Sequence, residues 1–332
     1  MELFGILPSG EKIYKFTLKS GDSSAEVITL GASLRSFKPN GREILGGFAT
    51  LEEYATGTFF GASVGRVCNR IVGGAITIDG TVYELSKNNG EHCLHGGEDR
   101  FNTKAWEVIS YTDSSVKLGY ISPDGQSGFP GEVSVSAEFR LNGTDLSVQY
   151  RAIPNKKTPI MITSHGFFNL EGFDHDVLSH VVRIYANEYT EVDETRLPTG
   201  RRARVSGSFL DFSEPHMIGE RIDESPVGYD HNYILNPTKF IEAEGRRLGL
   251  SAEVSSGNMR LYSYTDQPGM QFYVMMNTPK KTPIDKTGAA YVRNGAFCLE
   301  SQIEPDCARR GIGFIDAGEE YISTTLYSVE IV

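Results

Sequence analysis

A chain of 332 residues with 39% hydrophobic and 23% charged residues has the balance of a globular protein, not that of a disordered or membrane-spanning one. Its 32 Lys and Arg against 43 Asp and Glu give a formal net charge of −11. That sign argues against nucleic acid and anionic membranes as partners, because both are held by cations that neutralise phosphate.

In chain order, residues 1–20 carry Glu2 and scattered polar side chains where a secretory leader would have a basic run followed by an apolar one. No later stretch approaches the roughly 20 apolar residues that cross a bilayer. The segment 75–85 sets Ile76, Ile78, Val82 and Tyr83 about an Asp79-Gly80 turn and predicts two half-buried strands. Residues 115–121 alternate through Val116, Leu118 and Tyr120, and 122–131 predicts a loop. Strands are expected at 133–141 and 146–153, joined by the hairpin signal Asn142-Gly143. Further strands are expected at 181–191, 260–265, 271–276 and 296–301, with a loop at 280–295. The terminal segment 321–332 alternates Tyr321, Ser323, Thr325, Tyr327, Val329 and Ile331 on one face and predicts a strand docked in a sheet. The basic runs Arg201, Arg202, Arg204 and Arg309, Arg310 read as solvated loops.

Frequent strands without alternating helices, no linker and no repeat predict an all-β fold, a large antiparallel β-sandwich formed as a single domain over 1–332. The four cysteines, Cys68, Cys93, Cys298 and Cys307, form no C-x-x-C pair and suit free thiols, so a cytoplasmic location is expected.

Several chemistries are absent by motif. No G-x-x-x-x-G-K-S/T occurs, residues 61–74 hold no G-x-G-x-x-G, and Ser164 lacks the G-x-S-x-G context of a hydrolase nucleophile. His92-Cys93-Leu94-His95 could supply part of a zinc site. It has no second cluster, and an extended segment would point His92 and Cys93 to opposite faces. Neither a metal nor a cofactor is expected. Polar groups in apolar or glycine-rich settings draw more attention: His165 within Thr163-Ser164-His165-Gly166-Phe167-Phe168, His95 before Gly96-Gly97, Asp230 within Gly228-Tyr229-Asp230-His231-Asn232-Tyr233, and Glu300 closing Gly295-Ala296-Phe297-Cys298-Leu299. A partly buried imidazole can move protons near neutrality, and burial raises a carboxyl group's pKa. Each residue could equally be a satisfied core polar group.

Taken together, the segments resemble the aldose 1-epimerase, or galactose mutarotase, family. The resemblance runs through Gly65-Arg66-Val67-Cys68-Asn69-Arg70-Ile71, Cys93-Leu94-His95-Gly96-Gly97, Phe168-Asn169-Leu170, Leu197-Pro198-Thr199-Gly200, Tyr229-Asp230-His231-Asn232, Pro268-Gly269-Met270-Gln271-Phe272-Tyr273 and Cys298-Leu299-Glu300-Ser301-Gln302, in that order. It implies a galactose mutarotase-like supersandwich that interconverts the α and β anomers of a free aldose, galactose or glucose first. It implies Glu300 as general base, His165 as general acid, and Asn69, Arg70, His95, Asp230 and Gln271 as groups that hold sugar hydroxyls. The small-molecule sugar is then the partner, and the protein is a monomer or homodimer.

Two places depart from the family pattern. Gly166 and Phe167 stand where many relatives carry Ser or Pro and then Tyr, so Gly166 is expected to enlarge the pocket. Arg309 and Arg310 follow Gln302 and would be the cationic subsite if the substrate were a hexose phosphate. A non-catalytic sugar-binding β-sandwich is the remaining alternative. Cys68, Cys93 and Cys298 adjoin site residues, and strand alternation is expected to turn them away into core packing.

Overall fold

The computed structural model describes residues 1–225, 228–276 and 285–332. Two antiparallel sheets dominate. The larger has ten strands, in the order Glu107–Tyr111, Ser115–Ser122, Val133–Asn142, Asp145–Pro154, Tyr321–Ile331, Met259–Thr265, Arg246–Ser256, Val181–Ile184 and His216–Met217, with Phe240–Ala243 also paired to Arg246–Ser256. The smaller has five, in the order Pro198–Arg204, Ala186–Val192, Asp230–Leu235, Gly269–Val274 and Phe297–Gln302. The N-terminus adds a four-stranded sheet, Glu2–Ile6, Lys12–Ser20, Ser23–Ile28 and Ser33–Lys38.

Local sequence explains the hairpins. Ile78 pairs with Thr81, leaving Asp79 and Gly80 as a two-residue turn with φ of +49° and +84°. Positive φ at both central positions is what such a turn needs to match the strand twist. In the second hairpin Asn142 pairs with Asp145, so the turn is Gly143-Thr144, with Gly143 at φ +59°. The turn therefore sits one residue beyond the Asn142-Gly143 signal. Along Val133–Asn142 the residues Val133, Val135, Ala137, Phe139 and Leu141 are buried and alternate with more exposed ones, the period-2 pattern of a strand with one covered face.

Three expectations are corrected. The segment 181–191 is two strands: Val181–Ile184 lies in the larger sheet and Ala186–Val192 in the smaller, with the chain passing between them at Tyr185. Tyr321–Ile331 runs between Asp145–Pro154 and Met259–Thr265, and residues 323–327 are buried on both faces instead of one. Its buried polar groups are satisfied by hydrogen bonds, as where Gln149 Nε2 donates to Thr324 Oγ1 at 3.1 Å. Arg201, Arg202 and Arg204 sit on the edge strand Pro198–Arg204, not in a loop. The expected loop at 280–295 lies outside the described residues as far as 284.

The core between the sheets includes Phe139, Val148, Leu261, Phe168, Phe272, Phe297, Leu299 and Tyr327. Each such side chain contributes about 1.5–3 kcal/mol on burial. Two contacts of that core position the site. Tyr327 Oη donates to Leu299 O at 3.1 Å, tying the larger sheet to the strand that bears Glu300. Phe168 and Phe297 exchange both backbone hydrogen bonds, at 2.7 and 2.9 Å, tying the segment after His165 to the same strand. Among the described residues no helix is long and apolar enough to cross a membrane.

Candidate active site

Strand alternation gives the smaller sheet one apolar and one polar face. Met270, Phe272, Val274, Phe297 and Leu299 point into the main core. The opposite face follows from the register: Asp230 opposite Tyr273 opposite Cys298 in one row, and Asn232 opposite Gln271 opposite Glu300 in the next. A row of polar residues across three adjacent strands places their side chains within reach of one another.

The other wall comes from three short segments. Arg70–Ile71 pairs with Cys93–Leu94, which puts His95 beside Asn69. His95 Nδ1 accepts the Asn69 backbone N–H at 3.1 Å. Both residues have positive φ, +59° for Asn69 and +54° for His95, a backbone state non-glycine residues seldom adopt outside constrained sites. Gly96 follows at φ +90°, and a Cβ there would lie 2.0 Å from Gly65 O, so the close approach of the two loops requires glycine. His165 is fixed through its backbone, its N–H donating to Ala62 O at 2.9 Å and its carbonyl accepting from Gly61 N at 2.8 Å. Phe59 and Phe167 stack beside its ring at centroid distances of 5.7 and 4.9 Å.

All seven residues expected from the sequence converge on this face. Asn69 Nδ2 donates to Gln271 Oε1 at 3.1 Å, and Gln271 Nε2 donates to Asp230 Oδ1 at 2.7 Å. Arg70 Nη2 stands 3.8 Å from Asp230 Oδ2. His165 Nε2 stands 3.6 Å from Glu300 Oε1. His95 and His165 meet edge to face at 5.6 Å. Exposure rises from the pair outward: Glu300 is 2% and His165 6% exposed, while the side chains of Asp230, Arg70 and Arg196 are 12%, 14% and 34% exposed. The second Glu300 oxygen, Oε2, is buried with no hydrogen-bond partner among the described residues, an arrangement suited to receiving a ligand hydroxyl.

Burial sets the electrostatics. It pushes the Glu300 carboxyl up to about 8, helped by the Asp230 charge and opposed by Arg70. It pulls His165 down to about 4 and His95 well below its ordinary value. Near neutral pH and without sugar, the pair therefore holds one proton, on Glu300. His95 is neutral, and because its Nδ1 accepts from Asn69, its ring proton sits on Nε2 as a donor.

Sequence reasoning misjudged Gly166 and the direction of Cys298, while Arg309 and Arg310 are exposed as expected. A Cβ at Gly166 would point at Phe168 Cε2 and Leu45 Cδ1, 2.9 and 3.2 Å away in the core, so Gly166 does not widen the pocket; Phe167 is the one beside His165. Cys298 packs in an apolar cluster with Phe167 and Ala296, as expected, but is not turned away from the site, because residues two apart on a strand share a face, and its Sγ lies 3.6 Å from His165 Nδ1. Cys68 and Cys93 do pack in the core. Arg309 Nη2 pairs with Asp306 at 2.6 Å and Arg310 Nη2 with Glu304 at 2.8 Å, which commits both cations within the chain. Arg196 was missed. At φ +67°, it places Nη1 3.8 Å from Asp230 Oδ2, a second guanidinium that no motif announced.

The His92–His95 run does not converge. His92 Nδ1 accepts from Gly73 N at an exposed position, while Cys93 is buried in the core. Among the described residues, those that could hold a metal are His165, Cys298 and Glu300, whose ligand atoms all lie within 4.8 Å of one another; imidazole, thiol and carboxylate together suit a borderline divalent ion.

Comparison with known proteins agrees with this architecture. Residues 14–328 match the family model described as aldose 1-epimerase. The chain belongs to the aldose 1-epimerase family. It is 37% identical over 339 residues to a galactose mutarotase of Sus scrofa, covering 98% of this chain and 96% of that one. It is 32% identical over 348 residues to an aldose 1-epimerase of Escherichia coli, covering 97% and 96%. In fold it matches a galactose 1-epimerase structure from Lactobacillus acidophilus with a TM-score of 0.86 at 23% identity, covering 99% and 98% of the two chains.

Proposed function

We propose that the protein is a mutarotase that interconverts the α and β anomers of a free aldose, with Glu300 and His165 as its proton-transfer pair. The observation that carries this is the buried carboxylate–imidazole pair, 3.6 Å apart, beneath a network of hydroxyl-binding groups. Opening a hemiacetal requires one proton to leave the anomeric hydroxyl and one to reach the ring oxygen. A single shared proton and two bases meet that need without a high-energy alkoxide.

In the reactive form the shared proton resides on His165 and Glu300 is ionised. Arg70 favours the Glu300 anion and Asp230 favours the His165 cation. Glu300 takes the proton from the anomeric hydroxyl, the C1–O5 bond breaks, and His165 gives its proton to O5. The product is the open aldehyde, with the pair left in the neutral form the sugar-free site holds. Rotation about C1–C2 and the reverse transfers close the ring on the other face. Asn69, Arg70, His95, Asp230 and Gln271 hold the remaining hydroxyls through donors and acceptors already ordered among themselves.

Galactose is the first sugar to test, since relatives at 36–37% identity are galactose mutarotases. Four buried free thiols support a reducing, cytoplasmic setting. The two sheets share one core, which supports one domain over 1–332. Polarimetry on freshly dissolved single anomers of a panel of aldoses tests the function: at least one must equilibrate faster than in buffer, and a panel with no acceleration refutes it.

A further inference from the structure

We propose that Arg196 is a specificity-determining residue, a guanidinium at the mouth of the site that receives a carboxylate carried by the sugar, so that hexuronates belong among the aldoses this protein anomerises. The inference rests on the mutarotase reading of the same site. Asp230 Oδ2 stands 3.8 Å from Arg70 Nη2 and 3.8 Å from Arg196 Nη1, while Asp230 Oδ1 accepts from Gln271 Nε2 at 2.7 Å. Two guanidinium groups thus flank one carboxylate oxygen, and at that distance neither is hydrogen-bonded to it. Among the described residues neither Arg side chain has another hydrogen bond or ion pair, and Arg70 Nε is buried without a partner.

Neighbouring charges do not absorb this surplus. On the strand that follows, Arg201 Nε pairs with Glu191 at 2.7 Å and Arg202 Nε with Glu304 at 3.0 Å, so those carboxylates are already taken. Asp193, in the turn that carries Arg196, accepts at Oδ1 from the backbone N–H groups of Thr195 and Leu197 at 2.8 and 3.0 Å. It fixes the turn instead of meeting the guanidinium. Two guanidinium groups against the Asp230 carboxylate leave one positive charge. A hexuronate brings one negative charge in a planar group that matches the guanidinium fork, whereas a phosphate monoester brings about 1.5–2. Exposure fixes the role: Glu300 and His165 lie at the floor, 2% and 6% exposed, and the Arg196 side chain is 34% exposed. A side chain at the mouth meets what projects from the ring, not the reacting oxygens below, so Arg196 selects among sugars and moves no proton.

The test measures kcat/KM by polarimetry for freshly dissolved α-galacturonate and α-galactose, with wild type and Arg196→Gln in the full chain. Galactose 6-phosphate, added as a competitor of galactose, separates carboxylate from phosphate. In Arg196→Gln the galacturonate-to-galactose ratio of kcat/KM should fall about tenfold through KM, the loss of one charge-assisted pair at a partly exposed position. The ratio is read within each protein, so a lost fraction of folded enzyme does not move it. Added salt should raise the wild-type KM for galacturonate and leave that for galactose unchanged. If Arg196 only steadies Asp230, both sugars lose alike and the ratio stays fixed, which overturns the proposal. So does a wild type that equilibrates galactose but not galacturonate, and the mutarotase reading then stands. Stronger competition by galactose 6-phosphate than by galacturonate overturns the carboxylate assignment. A wild type that equilibrates no sugar at all overturns the mutarotase reading and the role of Arg196 with it.

Discussion

Replacing Glu300 by Gln should make the protein more stable at alkaline pH. Burial raises the carboxyl group from its ordinary 4.5 to about 8. A folded value above the unfolded one means the carboxyl's contribution is complete below about pH 4.5 and is lost as pH rises through about 8. The cost of ionising Glu300 inside the site is then about 3–5 kcal/mol above pH 8, at roughly 1.4 kcal/mol per pH unit of displacement. That is a large part of the ~5–15 kcal/mol by which a domain is stable. Gln matches the neutral carboxyl in shape, and Glu300 Oε2 has no partner to lose. Urea unfolding followed by circular dichroism at pH 5, 6.5 and 8.5 measures the difference. Wild type and Glu300→Gln should agree within about 1 kcal/mol at pH 5 and diverge steadily above it, with the variant the more stable. A gap that does not grow with pH, or a wild type equally stable at pH 8.5, refutes the claim that Glu300 is held neutral at the expense of the fold.

Three further outcomes follow. The pH profile of kcat/KM for the free enzyme should be bell-shaped, with limbs near 4 and 8 that belong to the pair: activity is lost below the lower limb as the pair gains a second proton and above the upper as it loses its only one. A flat profile between pH 3 and 9 would contradict the shared proton. Gly166→Ala drives a methyl against Phe168 and Leu45, so it should cost about 1–2 kcal/mol in urea unfolding, overpacking less the entropy gained, and leave the ranking of sugars in the polarimetric panel unchanged. A changed ranking would put residue 166 back at the pocket. Gln271→Ala removes the link between Asn69 and Asp230 and should lower kcat/KM about 10–100-fold, two hydrogen bonds including one to a carboxylate, read by initial-rate polarimetry.

The sequence was most legible where a strand has one buried face and leads into a two-residue turn, as at 133–144, because period 2 and glycine at positive φ are local signals. It was least legible where a strand is buried on both faces. Within Arg246–Ser256, Gly249 and Ser251 are as buried as Leu248, Leu250 and Ala252, so no alternation survives over 248–252. The break at Tyr185 was invisible because both halves of 181–191 are good strand sequence, and only their sheet partners differ. In the site, the seven residues were reached through ordered motifs, not through periodicity. Cys298 could have been found by period 2 alone, from its place two before Glu300. Arg196 could not, since what brings it to Asp230 is a left-handed residue in the turn between Ala186–Val192 and the edge strand Pro198–Arg204.

The central claim is that Glu300 and His165 together open and close the sugar ring. It is tested most directly by polarimetry of freshly dissolved α-galactose with wild type, Glu300→Gln and His165→Asn at equal concentration, each corrected for the buffer rate. Wild type should speed equilibration, and each variant should lose about 10²–10⁴-fold in kcat, the share general acid–base catalysis carries. A folded Glu300→Gln protein that retains wild-type kcat would contradict the account.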